Sequence, residues 1–310
     1  VVSTREFLRS LDLPDHDPHS LPASTKRFPD GAQYRVEIPS VEGPEAMDAV
    51  LAEADARGVL VHRVSQGSGG MLQTQAELAA MAEQGAARGI EVSLFARPLA
   101  GWGTGAAARS PGLASLGVQA RGVDELVYVV EDIRRTTEAG IRGVLVTDLG
   151  VLHVADRMRA AGELPSTLSL KVSVQMGLAN PVSIRIAQRF GATTYNVPTD
   201  LTLAQLAAIR GAVDLPLDMY VEAPDDLGGF VRHFEIAELV RVAAPVYLKF
   251  GLRNAPNIYP SGTHLTPTAI ALGRERVRRA EIGLELLRRY APDAVASRPG
   301  AADLAVPVKQ

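Results

Sequence analysis

The chain has 310 residues, 46 % of them hydrophobic, and a formal net charge of −3, so no global basic field points to nucleic acid or to an acidic membrane surface. It contains no cysteine, which excludes disulfides, thiolate nucleophiles, thiolate zinc sites and an iron–sulfur cluster held by thiolates. No apolar run reaches the roughly 18 residues that span a bilayer, and the chain does not start with a basic region followed by an apolar core, so a cytoplasmic protein is expected.

Residues 1–33 lack sustained periodicity beyond a short helical stretch at 5–11, and they read as an N-terminal arm. His16 and His19 stand in it beside Asp15 and Asp17. A metal clip is conceivable there, but a solvated loop is the better reading, because flexible arms rarely hold ligand geometry.

From residue 34 to 292 two rhythms alternate. Strand patterns fall at 34–39, 59–64, 91–97, 143–148, 168–176, 193–198, 217–223 and 246–251. Helical patterns fall at 43–57, 73–88, 124–139, 151–161, 181–190, 202–212, 229–242 and 266–290. Gly58, Gly89, Gly140 and Gly191 sit where helices should end, and Asn180, Pro181 and Asp200 suit helix starts. Eight such alternations predict an α/β fold, a (β/α)8 TIM barrel in a single domain. An open doubly wound sheet is the alternative, and it explains less well why polar residues recur on one face of so many strands. Residues 293–310 read as an irregular C-terminal tail.

Two loops are long. The first, 99–122, holds G-W-G-T-G and the single tryptophan, Trp102; the length predicts a lid that carries Trp102 towards a ligand. The second, 252–265, holds Arg253, Asn254, Asn257, Tyr259 and His264. Both follow strands, so both belong to the C-terminal face, where barrel active sites lie.

Residues 169–177, S-L-K-V-S-V-Q-M-G, place Ser169, Lys171, Ser173 and Gln175 on one face of an extended chain and apolar residues on the other. A buried face of this polarity needs partners or a ligand. The same alternation sends Arg35 and Glu37 inward, then Ser93, Phe95 and Arg97, then Asn196, then Asp218, Tyr220 and Glu222, then Tyr247 and Lys249. His62 and Arg63 compete for the inward face of the second strand, and Asp148 ends the fourth. Four cations (Arg35, Arg97, Lys171, Lys249) and four anions (Glu37, Asp148, Asp218, Glu222) are thus expected in one cavity. Any one of them taken alone reads better as a space-filling ion pair than as a catalytic group; the collective pattern is what points to a site.

The candidates divide by chemistry. Arg97 and Lys249 suit a carboxylate, phosphate or enolate oxygen, with Gln175, Asn196, Arg253 and Trp102 as further substrate contacts. Glu222, Glu37 or Asp148 could be a general base. Glu222 on the seventh strand and Lys249 on the eighth are expected to meet at the mouth. Lys171 or Lys249 could instead form a Schiff base. Glu37, Asp148 and Glu222, with Gln175, could hold a divalent metal such as Mg²⁺ or Mn²⁺, which prefer oxygen ligands. Gly67-Ser68-Gly69-Gly70 could cradle an anion with its backbone N–H groups, and a plain loop is as good a reading. Gly228-Gly229 and Gly251 follow the last two strands, where many barrels bind phosphate.

Residues 172–210, V-S-V-Q-M-G-L-A-N-P-V-S-I-R-I-A-Q-R-F-G-A-T-T-Y-N-V-P-T-D-L-T-L-A-Q-L-A-A-I-R, resemble the collagenase-like peptidase family of barrels. The likeness lies in a strand ending near Gln175, Asn180 opening a helix, the Phe190-Gly191-Ala192 helix end, and a short strand leading into Leu201-Thr202-Leu203. It implies a single barrel and a hydrolase activity. Many members carry a cysteine cluster after the seventh strand, which this chain lacks.

The expected function is an enzyme acting on a small anionic, oxygen-rich substrate, by acid–base chemistry next to a carbonyl (lyase, aldolase or isomerase). The alternatives are a hydrolase of the collagenase-like type and a non-catalytic ligand-binding barrel or partner subunit. The expected partner is a small molecule rather than nucleic acid or membrane, and a homo-oligomer is conceivable.

Overall fold

A computed structural model describes residues 3–17, 20–98 and 117–309. Eight parallel strands close into a barrel in sequence order: β1 (Tyr34–Pro39), β2 (Arg63–Gln66), β3 (Glu91–Phe95), β4 (Gly143–Val146), β5 (Ser169–Val172), β6 (Thr194–Asn196), β7 (Leu217–Glu222) and β8 (Val246–Phe250). β8 pairs back onto β1, with Glu37 beside Lys249. The fold is a (β/α)8 TIM barrel.

Short helix α1 (Thr4–Ser10) lies in the arm, and α2 (Pro44–Arg57), α3 (Gln75–Arg88), α4 (Gly122–Glu138), α5 (Leu149–Ala160), α6 (Pro181–Arg189), α7 (Leu203–Ala212), α8 (Ile236–Ala243) and α9 (Thr266–Tyr290) surround the barrel. Local chemistry sets their ends. Thr74 and Thr202 close capping boxes with Glu77 and Gln205, satisfying N–H groups that a helix start leaves open. Asn180 caps α6 ahead of Pro181, whose missing N–H costs nothing at that position. No helix among the described residues is long and apolar enough to cross a membrane.

Outward strand residues such as Val36, Ile38, Val92, Leu94, Leu170, Val172, Leu217, Met219 and Leu248 join the helices in one continuous core. The inward face carries the polar alternation, so every strand is buried on both sides.

Several boundaries differ from the sequence expectation. The second strand starts at Arg63 rather than 59, because Val59 and Val61 are used as buried lead-in, while Arg63 and Ser65 are needed inside. The fifth strand ends at Val172, where the Ser173 hydroxyl accepts the Gln175 N–H and starts a 3₁₀ turn. The segment 229–235, expected to be helical, instead folds back: Val231 bridges antiparallel to Glu222, and α8 begins only at Ile236. The irregular tail packs against the barrel floor, where Asp303 accepts from Arg35 at 2.6 Å and the Ala305 N–H donates to Glu91 at 2.9 Å.

Candidate active site

The barrel interior is built in two layers. In the lower layer charges cancel. Arg63 on β2 donates to Glu91 at 2.5 Å, to Glu37 at 3.1 Å and to Asp218 at 3.2 Å. Lys171 on β5 donates to both oxygens of Glu37 and reaches Asp218 at 3.1 Å. The Ser65 hydroxyl adds a bond to Glu37 at 2.6 Å, and Tyr247 one to Glu91 at 3.0 Å. Burial alone would raise the Glu37 carboxyl, but Lys171, Lys249 and Arg63 outweigh it and hold it well below the ordinary range. Glu91 is lowered for the same reason, by Arg63 against burial.

Above this layer lies a cavity of about 180 Å³ at the C-terminal mouth. Lys249 forms its floor. The ammonium donates to Asn196 Oδ1 at 2.5 Å, stands 3.3 Å from Glu37 and lies 4.3 Å over the Tyr220 ring. Arg97, just past β3, donates to the Gly67 carbonyl at 3.1 Å and covers Phe95. Ser40, Gln66, Gln175, Asn257 and Tyr259 supply hydroxyl and amide groups. Asp226 is the one carboxylate among the described lining residues. It sits on a 3₁₀ turn after β7 that Arg253 and Asn254 pin by bonds to Asp225. Partial desolvation raises the Asp226 carboxyl above its ordinary value, and Asp225 adds to the rise.

The sequence candidates therefore separate. Lys249, Arg97, Gln175 and Asn196 come together at the mouth. Lys171 and Glu37 face inward but lie in the cancelled layer below. Arg35 is drawn to the floor by Asp303, Tyr247 and Ser297. Arg63, not His62, takes the inward face of β2, while the His62 ring bonds the Val36 N–H and the Ser297 carbonyl.

Three candidates are corrected outright. Glu222 does not meet Lys249. A register shift between Tyr220 and Glu222 sets Glu222 opposite Phe250 instead, turning it outward. There it bonds His233 at 3.0 Å and the Arg253 N–H at 2.9 Å; these bonds outweigh burial and lower its carboxyl. His233 is mostly buried against Phe250. Asp148 caps α5, accepting from Val151 N–H at 2.9 Å and Ala120 N–H at 3.1 Å. Arg253 has an exposed side chain that points to Asp225 rather than into the mouth.

Glu37, Asp148 and Glu222 thus lie in three different places and do not form one metal site. Among the described residues no group of three or more His, Cys, Asp or Glu could hold a metal ion. The glycine-rich loop at 67–70 cradles the chain's own groups: the N–H groups of Gly67 and Ser68 point to Glu42, and that of Gly69 to Gln66. The N–H groups of Gly228 and Gly229 likewise close turns on the Asp225 and Pro224 carbonyls, and that of Gly251 bonds the Glu222 carbonyl across β7 and β8. Trp102 and most of the expected lid lie outside the described residues, as does His19.

Residues 119–223 match Peptidase family U32. This span contains the stretch that resembles the collagenase-like family. No curated protein matches the chain. Solved structures similar to it include the U32 peptidase Mk0906, at 16 % identity over 67 % of this chain and 73 % of that one, with TM-score 0.40. Another is oxaloacetate acetylhydrolase, at 11 % identity over 70 % and 75 %, with TM-score 0.42. A third is the thiamine phosphate pyrophosphorylase of Pyrococcus furiosus, at 12 % identity over 82 % and 98 %, with TM-score 0.44.

The sequence reading did not single out Ser40 or Asp226. Asp226 had a readable signal: P-D-D-L-G-G directly after the seventh strand is turn chemistry on the face where barrels carry their sites.

Proposed function

We propose that the protein is an enzyme that takes a small anionic, oxygen-rich substrate into the barrel mouth. Its chemistry is acid–base work at a carbon next to a carbonyl, in the manner of a lyase, aldolase or isomerase. The observation that supports this reading is the charge of the mouth. Lys249 and Arg97 bring two cations to a small cavity whose other described lining is mostly hydroxyl, amide and apolar groups. In a small, half-enclosed cavity such cations are preorganised for negative charge that develops on a substrate oxygen. Asp226 replaces Glu222 as the candidate base, because a raised carboxyl on the rim is closer to the range in which a base exchanges protons near neutral pH. Lys249 is also the lysine that a carbonyl substrate reaches if the route is a Schiff base.

The match of residues 119–223 to Peptidase family U32 favours a second reading, a hydrolase. Assays separate the two. Calorimetric titration with propionate, pyruvate and phosphate should show binding that weakens at least about tenfold in Lys249→Met and in Arg97→Gln, and that falls with salt. Exchange of pyruvate methyl protons with D₂O should be accelerated by the protein and lost in Asp226→Asn. Cleavage of peptides without anion binding would overturn the first reading in favour of the second.

A further inference from the structure

Ser40 follows β1 at the edge of the mouth cavity and holds a left-handed backbone, with φ at +59°. Such a conformation is strained for a residue with a side chain, and it persists only where surrounding bonds impose it. Here two groups impose it. Arg276 of α9 donates to the Ser40 carbonyl at 3.3 Å, and the Tyr259 hydroxyl donates to Ser40 Oγ. A glycine would adopt this backbone without strain. What serine adds is a hydroxyl at the cavity wall.

The direction of the hydroxyl follows from its partner. Tyr259 occupies a lone pair of Ser40 Oγ, so the serine keeps its own hydrogen to give. Among the described residues that hydrogen has no acceptor. Tyr259 is itself fixed. A side chain at Gly67 would stand 2.6 Å from the tyrosine ring, so the close packing of the ring on this loop requires glycine there. The Ser261 N–H bonds Ser68 Oγ at 2.8 Å and ties down the same loop from the other side. Burial, reinforced by the charge of Glu42, raises the Tyr259 hydroxyl, so it remains a proton donor throughout the neutral range.

We propose that Ser40 is a substrate-binding residue that donates a hydrogen bond to an uncharged oxygen of the substrate, and that Tyr259 is the positioning residue that aims it. This deepens, and rests on, the reading of the mouth as a site for a small oxygen-rich anion. Lys249 and Arg97 select charge. Ser40 selects a second, neutral oxygen such as a carbonyl. A site built to bond such an oxygen discriminates against an analogue that lacks it.

The test uses two probes of nearly equal size, pyruvate and propionate, which share the carboxylate and differ by the carbonyl oxygen. Calorimetry should show the full-length protein binding pyruvate about tenfold more tightly than propionate. Ser40→Ala should bring pyruvate down to the propionate level and leave propionate within twofold. Ser40→Gly should do the same while melting no lower than wild type, since it relieves the backbone strain. Tyr259→Phe keeps the ring packing; it should weaken pyruvate binding alone, and should have no further effect in the Ser40→Ala background. A wild-type preference for pyruvate that survives Ser40→Ala overturns the proposal while leaving the anion site standing. Full additivity of the two substitutions overturns the role of Tyr259. If neither probe binds, the anion reading and this proposal fall together.

Discussion

The two layers of the barrel interior hold the same kinds of side chain and treat them differently. In the lower layer Arg63 and Lys171 face Glu37, Glu91 and Asp218, and nearly every charge has an opposite within hydrogen-bond reach. At the mouth Lys249, which also stands 3.3 Å from Glu37, and Arg97 face a cavity whose described lining carries one carboxylate, Asp226. Removing charges from water is expensive, and a fully paired network mostly offsets that cost rather than adding stability. A cation that borders an open cavity keeps part of its field for a ligand. Layering, not residue type, therefore separates scaffold from candidate site.

The largest effect should come from breaking the lower layer. Glu37→Gln leaves Lys171, Lys249 and Arg63 without their shared carboxylate, and should cost about 3–5 kcal/mol in urea unfolding, the usual penalty for an uncompensated buried charge. Adding Lys171→Met should recover part of that loss. A loss of under about 1 kcal/mol would place Glu37 among weakly coupled groups and blur the contrast between the layers.

Acid should act on the same layer. Glu37 and Glu91 have folded values below the ordinary 4.5, so the unfolded chain binds more protons as the pH falls. Their stabilisation is complete above the ordinary carboxylate value and is lost progressively below it, as the pH drops towards the folded values. Glu42 runs the other way: burial raises it, so its contribution is present in acid and is lost as pH rises through its folded value. The urea midpoint measured against pH should therefore fall steeply below about 4.5 in wild type, and less steeply in Glu37→Gln. An unchanged slope in that variant would assign the acid sensitivity elsewhere.

A smaller effect is expected at the floor. Asp303→Asn weakens the contact between the tail and Arg35 and should cost at most about 1.5–3 kcal/mol, the range for a hydrogen bond to a charged group. Propionate binding at the mouth should not change; a change would mean that the layers are coupled through Arg35, Tyr247 and Glu91.

The smallest effect should be that of Glu222→Gln on ligands. Because Glu222 faces His233 and Arg253, pyruvate affinity should stay within twofold. A tenfold loss would return Glu222 to the mouth.

Much of this architecture was legible residue by residue. Strict alternation from Leu170 to Val172 puts Lys171 inside, and it does so for Glu37, Asn196, Asp218, Tyr247 and Lys249 as well, because in-register parallel strands preserve a period of two. The misreadings have local causes. One irregularity in β7 breaks the period just before Glu222. One helix start claims Asp148 as its cap, a use that competes with any role in the mouth. Helical periodicity at 229–242 was read across a segment whose first half pairs back onto β7.

The sequence by itself determined the barrel, because eight strand and helix patterns with their caps and turns leave few ways to bury so many two-faced strands. It also determined most of the inward faces, because side-chain direction in a strand is a local property. Only the tertiary structure decided which charges are confined to the buried network and which also border the cavity. Pairing depends on height in the barrel and on contacts such as Lys171 with Glu37, 134 residues apart in the chain, and no local pattern encodes that distance.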